Sequence, residues 1–235
     1  MSMTPASPQQ PSIDIVELLA RALPGARRES HHWLADNARV PRVAPGELIF
    51  RQGDPIPMTL VVDGHCAFRR TTRDGRELLI GLAAPGFMFG FSGLSVPNSR
   101  ADFLAVTEGQ VALWPAEHLR SLADRDSGLA LDVIERMGQF IAGLTERLDG
   151  FLHQDARRRV LRILAQHEAV FFGPSAILTR AHLPSLVGTS REMTSRVLRE
   201  LERDGVIVRV GRSGLQLLSP KGLLEAAARE SDNAP

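Results

Sequence analysis

TRAHLPSLVGTSREMTSRVLRELERD, residues 179–204, decides how this chain is read. Thr179 is placed to cap a short helix carrying Leu183, Leu186 and Val187, Gly188 supplies a turn, and a second helix starts at Thr189 or Ser190. With Arg191 at the origin and about 100° per residue, Glu192, Ser195, Arg196 and Arg199 fall on one face of that second helix. Met193, Thr194, Val197, Leu198 and Leu201 fall on the other. An apolar face backing three arginines, a glutamate and a serine suits a helix laid in the major groove. Arginine donates two bonds to guanine O6/N7, and glutamate accepts from cytosine N4. Thr189-x-x-Glu192 is also a capping box, which would turn Glu192 to the backbone. Pro184, about five residues into the first helix, predicts a slight kink there.

The flanking sequence strengthens the helix-turn-helix reading. Val206–Val210 and Leu215–Leu218, joined by Gly211–Gly214, predict a β-hairpin wing. Upstream, Ala156–Gln166 reads as a helix that Asp155 can cap, after a hinge at Gly150–Asp155. A long helix runs from about Gly128 to His153. Its apolar positions Ile134, Met137, Ile141, Leu144, Leu148 and Phe151 step by 3 and 4, the spacing of a seam between two copies. Phe140 and Leu152 widen it towards the chain's own N-terminal part.

From Val43 to Pro115 the pattern is one of short apolar stretches broken by glycines, a small β barrel or roll. Asp63-Gly64 and Asp74-Gly75 are expected to be hairpin turns. Asp102–Thr107 and Gln110–Pro115 are its last strands, and Ala116–Ala123 returns to helix. Ile13–Ala22 and Glu29–Asn37 are helical. The resulting fold class is α+β: an N-terminal β roll, a long dimerisation helix and a C-terminal winged helix-turn-helix. The domain boundaries are placed at 1–27 for a tail and the start of the first helix, 28–123, 124–153, 154–227, and 228–235 for a second tail.

Charge is unevenly distributed. Asp155–Pro235 holds 13 Lys/Arg against 9 Asp/Glu, whereas residues 1–154 hold 15 against 18. Positive charge therefore collects where DNA would lie. A nucleophile–base set, a phosphate loop and a metal cluster are all missing from the pattern, so no enzyme is expected. The Pro/Ser/Gln-rich start is no secretory signal, and no apolar run reaches the roughly 18 residues of a membrane span, so the cytoplasm is the expected compartment. One cysteine, Cys66, leaves no intrachain disulfide. A redox role for it is left open, and His65-Cys66 and His31-His32 read as structural.

Residues 30–220 resemble the cAMP receptor protein/FNR superfamily of bacterial transcription regulators, most specifically in GTSREMTSRVLRELERDGVI (188–207). The resemblance implies that Arg191, Glu192, Ser195 and Arg196 read bases and that Thr179, Arg180, Thr189, Ser190 and Arg199 hold phosphates. It also implies a homodimer on an inverted repeat of GTGA or TTGA half-sites, with RNA polymerase as a partner if the protein activates. The implied effector pocket comprises Gly90, Phe91, Arg100, Ala101, Leu144 and Thr145. A cAMP-like nucleotide is the implied ligand, but Phe91 stands where its ribose hydroxyl would meet a glutamate, so the effector is left unassigned. The haem and iron–sulfur branches need cysteine and histidine ligands: residues 1–42 hold no cysteine, and Gly90 and Ser92 occupy the haem positions. The rival readings are a regulator that needs no effector and a small-molecule-binding module without specific DNA function.

Overall fold

The computed structural model describes residues 14–73, 75, 77–96, 98–153, 156–172, 178–211 and 214–232, with backbone alone for 146–153 and 229–232. The expected N-terminal tail, Asp74, the Asp155 cap and the side chains of Leu148, Phe151 and Leu152 lie outside these residues.

Among the described residues eight strands make the N-terminal unit: β1 (Arg42–Val43), β2 (Leu48–Phe50), β3 (Met58–Asp63), β4 (Cys66–Thr71), β5 (Glu77–Ala83), β6 (Met88–Phe89), β7 (Asp102–Ala105) and β8 (Gly109–Trp114). They form two four-stranded sheets, ordered β1-β8-β3-β6 and β2-β7-β4-β5. Antiparallel β4 and β5 form the hairpin expected around Gly75. The other glycine turn is different. Asp63-Gly64 joins β3 of one sheet to β4 of the other, so it is a corner between sheets, not a hairpin. Gly64 still needs its positive φ of 74° there.

Strand β3 shows why the roll reads as nearly continuous apolar runs. Met58, Leu60 and Val62 face a helical layer, while Val61 faces the space between the sheets, so both faces are buried. Between the sheets sit Val43, Val61, Cys66, Phe103 and Val111, with Phe50, Phe68 and Phe89. The helical layer is α1 (Ile15–Ala22), α2 (Arg28–Asp36), α3 (Ala116–Ala123) and the start of α4 (Ser127–His153). Trp114 of β8 is buried there and donates its indole N–H to Leu34 O at 2.8 Å.

Helix α1 belongs to this unit and is not part of a free tail. Leu19 and Leu23 are fully buried, and the turn after them is held by two carboxylates at the start of α4. Asp132 accepts from Gly25 N and Ala26 N, both at 2.9 Å. Asp126 accepts from Arg27 N (2.8 Å), Ser30 Oγ (2.6 Å) and Leu129 N (3.1 Å). Burial alone would raise the Asp126 pKa, but these hydrogen bonds outweigh it and hold the carboxyl below its ordinary range. Arg136 donates to Ala22 O. Positions 129, 132, 133 and 136 thus form the face of α4 turned to its own domain.

Phe140 was expected on that inner face, and here the structure differs. It is 63 % exposed, alongside Ile134 (64 %), Ile141 (60 %), Leu131, Met137 and Leu144. Position 140 follows 133 by a heptad, but the covered face of α4 does not carry on from Arg136 to it, and 137–142 are all exposed. The outer stripe is therefore wider than the seam read from spacing.

The C-terminal unit holds α5 (Ala156–Gln166), α6 (Glu168–Phe171), α7 (Leu183–Val187), α8 (Arg191–Arg203), β9 (Ile207–Val210), β10 (Gly214–Leu217) and α9 (Pro220–Asp232). Helix α9 continues past residue 227, where the second tail was expected to start. Helix α7 packs on β5, and Ala67, Leu79 and Val106 share one apolar cluster with Leu183, Val187 and Leu198. The two units therefore touch directly as well as through the α4–α5 connection.

Candidate nucleic-acid interface

Helix α8 owes its place to its apolar side. Thr194, Val197, Leu198 and Leu201 are buried in a core shared with α5, α7 and the wing, where Val160, Leu161, Leu164, Leu183, Ile207 and Leu215 meet them. The Val and Leu side chains among them each contribute roughly 1.5–3 kcal/mol of burial, so the orientation of α8 is set by its rear face. Its front face is left to solvent: Arg191, Glu192, Ser195, Arg196 and Arg199 are all exposed.

The start of α8 resolves the double reading of Glu192. Ser190, not Thr189, is the N-cap, and its hydroxyl accepts from Met193 N at 3.1 Å. The expected Thr189 box is not formed, because the helix begins one residue later. Glu192 lies in the first turn with no partner among the described residues, free to face a ligand.

The preceding element also departs from expectation. Thr179 caps a short 3-10 turn, Arg180–His182, and α7 follows it as a separate helix. Pro184 therefore sits in the first turn of α7, where its missing N–H has no partner to lose, and no mid-helix kink arises. Gly188 ends α7 in the left-handed conformation, φ 62° and ψ 50°.

His182 completes the cap. Its Nδ1 accepts from Thr179 N at 3.1 Å, which requires an unprotonated nitrogen. Burial pushes its pKa below the ordinary histidine value. A histidine so depressed contributes full stability above its unfolded pKa of about 6.5, and that contribution is lost as pH falls through the lowered folded value. We expect the melting temperature of the protein to drop between pH 7.5 and 5.5 more steeply than that of His182→Gln. The difference should be roughly the 1 kcal/mol of a lost cap, a shift of about 2–8 °C. Parallel curves would show that His182 is not the titrating group.

Three groups near α8 were not singled out by the sequence pattern. Arg209 of β9 joins Arg191, Glu192, Ser195 and Arg199 along one shallow groove, and its Nε donates to Glu202 at 2.7 Å. Its only hint was a cation in an alternating strand. Arg159 of α5 is buried and donates from Nε to Val187 O (2.8 Å) and from Nη2 to Gly188 O (3.2 Å), closing the end of α7. Glu200, on the half-buried side of α8, accepts from Arg157 and Arg196.

Residues 40–126 match the family model of the cyclic nucleotide-binding domain, and residues 156–226 match that of the Crp-like helix-turn-helix domain. The chain is 30% identical over 184 residues to the cyclic AMP receptor protein of Thermus thermophilus, covering 77% of this chain and 85% of that one. The chain belongs to the CRP/FNR family of transcription regulators. This CRP/FNR protein is also 30% identical over 158 residues to the cAMP-activated global transcriptional regulator Vfr of Pseudomonas aeruginosa, covering 63% of this chain and 74% of Vfr. FixK2 of Bradyrhizobium japonicum shares the fold, with a TM-score of 0.65 at 21% identity over 80% of this chain and 96% of that one. Membership makes this protein a DNA-binding transcription regulator with a sensing domain of the cyclic nucleotide-binding type, and not an enzyme.

The residues of the implied effector pocket are dispersed in their roles. Gly90 has φ 100°, and a Cβ there would lie 2.2 Å from Pro57 O, so the glycine serves a close backbone approach. Phe91 is buried in the helical-side core with Leu19, Leu34 and Met58. Ala101 is buried just ahead of β7, outside the cluster that holds Phe91, and its neighbour Arg100 is exposed. Thr145 donates its hydroxyl to Ile141 O of its own helix, and Leu144 belongs to the exposed stripe. Phe50, Phe68, Phe89 and Phe103 fill the inside of the roll, with centroids of neighbouring rings 4.8–6.1 Å apart. A cyclic nucleotide held through a ribose–glutamate contact does not fit these residues.

Cys66 is buried between the sheets, and burial pushes its thiol up to about 12. The thiolate needed for redox chemistry or metal binding is thereby disfavoured. Among the described residues no three His, Cys, Asp or Glu side chains gather as a metal site. Among the described residues no helix is long and apolar enough to cross a membrane.

Proposed function

We propose that this protein acts in the cytoplasm as a homodimer that reads an inverted-repeat DNA site and is controlled from its β roll. The observation that carries this reading is the exposed front of α8, where Arg191, Glu192, Ser195 and Arg196 project from a helix whose rear is locked in the core. Arg191, Glu192 and Arg196 lie in the first two turns, the part of a recognition helix that reaches base edges. Ser190, Thr189, Arg180, Thr179 and Arg199 flank that face and are assigned to phosphates. The exposed stripe on α4 would pair with its copy, setting the two α8 helices about one DNA turn apart, 10–10.5 bp between half-site centres.

Two routes lead from the roll to the reader: the α4–α5 connection and the packing of β5 on α7. An effector that favours one arrangement of these contacts would change the spacing of the two α8 helices. The relatives' names point to a nucleotide-class ligand, while the phenylalanine filling favours a reader that needs none. Native mass spectrometry of the purified protein, paired with DNA binding by the ligand-free form, separates the two. If the protein activates transcription, RNA polymerase is its further partner.

The test of base reading is fluorescence anisotropy on a TTGA/GTGA palindrome. Arg196→Ala should weaken binding by about 1–3 kcal/mol, roughly 5- to 150-fold, with little change on scrambled DNA. Equal affinity of the unmodified protein for palindrome and scrambled DNA would defeat the proposal.

A further inference from the structure

Glu200 lies on α8 four residues after Arg196, at the edge of the buried face, and its two carboxylate oxygens are divided between two arginines. Oε1 accepts from Arg196 Nε and Oε2 from Arg157 Nε, each at 3.3 Å. Arg157 is the second residue of α5, the helix that follows the end of α4. Glu200 and Arg157 are each less than a third exposed, whereas the Arg196 side chain is 70% exposed. The relay therefore starts half-buried, at the first turn of α5, and ends in solvent on the reading face.

We infer that Glu200 is a positioning residue that selects which edge of the Arg196 guanidinium meets DNA. This rests on the reading of Arg196 as a base reader. A guanidinium has five N–H donors in a fixed plane and contacts guanine through two parallel ones. With Nε held by Glu200, the two Nη groups form the remaining pair, and they have no partner among the described residues. An arginine on an exposed helix face otherwise samples many rotamers, and ordering it on binding weakens the complex. The anchor on Arg157 gives Glu200 a fixed place, which an isolated i,i+4 pair on the surface would lack. Arg157 also gives the relay a second meaning: movement of α5 against α8 would reach the reading face through one carboxylate.

The experiment uses the full-length protein and two palindromes, one natural and one with each half-site guanine replaced by 7-deazaguanine, which lacks the N7 acceptor. The ratio of the two affinities reports guanine reading. Glu200→Ala should lower that ratio about 3- to 10-fold, while raising affinity for scrambled DNA, since a negative charge near the phosphates is removed. Glu200→Gln keeps an acceptor oxygen and should restore most of the ratio. Arg157→Ala should lower it in the same direction. A merely structural role would weaken binding to both palindromes alike and leave the ratio unchanged, which would overturn the inference. Arg196→Ala is the control for the reading beneath it. If that variant keeps the wild-type ratio, base reading by Arg196 fails. If it loses the ratio while Glu200→Ala keeps it, only the positioning role fails.

Discussion

Ile141→Asp is expected to convert the protein to a monomer and to lower its affinity for a palindromic site by 100-fold or more. Ile141 is 60 % exposed in the single chain, at the middle of a stripe with Ile134, Met137 and Leu144. Pairing two such stripes would remove six large apolar side chains per copy from water, each contributing about 1–3 kcal/mol when fully buried. Symmetry places two aspartates in the interface, and each buried unpaired charge costs several kcal/mol. The loss on DNA follows from linkage: once one α8 is bound, the second half-site is met at an effective concentration in the millimolar range, which a monomer forfeits. Size-exclusion chromatography with light scattering at micromolar protein, together with anisotropy on full and half sites, measures both effects. A variant that stays dimeric would place the interface elsewhere. A monomer with undiminished affinity would refute a two-site reader. The substitution is at an exposed position, so the melting of the β roll should change little.

Arg159→Ala is the second large effect. Its guanidinium is buried and holds the carbonyls of Val187 and Gly188, the last groups of α7, which no intrahelical N–H can reach. Hydrogen bonds from a charged donor contribute about 1.5–3 kcal/mol each, and a buried carbonyl left without one costs a further 1–3. Partial filling by water reduces the sum, and we expect the C-terminal unit to lose about 3–5 kcal/mol. Calorimetry should show its transition moved down by 10 °C or more, with the transition of the β roll near its original place. DNA affinity should fall on specific and scrambled sites together, because the angle of α8 is lost and not one base contact. A transition within 2 °C of wild type would mean that Arg159 is a passenger in the core. Arg159→Lys, able to reach one carbonyl but not both, should fall between.

The two variants act at opposite ends of legibility. The stripe containing Ile141 could be read from spacing alone, because a 3–4 periodicity is a property of one helix and needs no neighbour to define it. The same holds for the two faces of α8, for the Gly188 turn and for the Gly75 hairpin. Arg159 gave no such signal. On its own helix it is one arginine among Arg157, Arg158 and Arg162. Its burial and its partners 28 and 29 residues away come from the packing of α5 against α7.

The missed and displaced features share that cause. Asp63-Gly64 carried a genuine turn signal, yet whether a turn closes a hairpin or crosses between sheets depends on which strands pair, and pairing is non-local. Phe140 followed the inner heptad position but lies past Arg136, where the covered face of α4 stops. Thr189 and Ser190 were equivalent caps in sequence, and the length of the turn after Gly188 chose Ser190.

By itself, then, the sequence determined a β roll, a long apolar-striped helix and a winged helix-turn-helix, together with the side chains exposed on the reading face. Local chemistry suffices for these, since periodicity, caps and glycine turns act within a few residues. Tertiary structure alone decided that Phe91 packs with Leu19, Leu34 and Met58, that α7 rests on β5, and that Glu200 meets Arg157, 43 residues away, as well as Arg196. Those contacts form only when separate elements pack. Packing answers to the shape and burial of the whole domain, which no local pattern encodes.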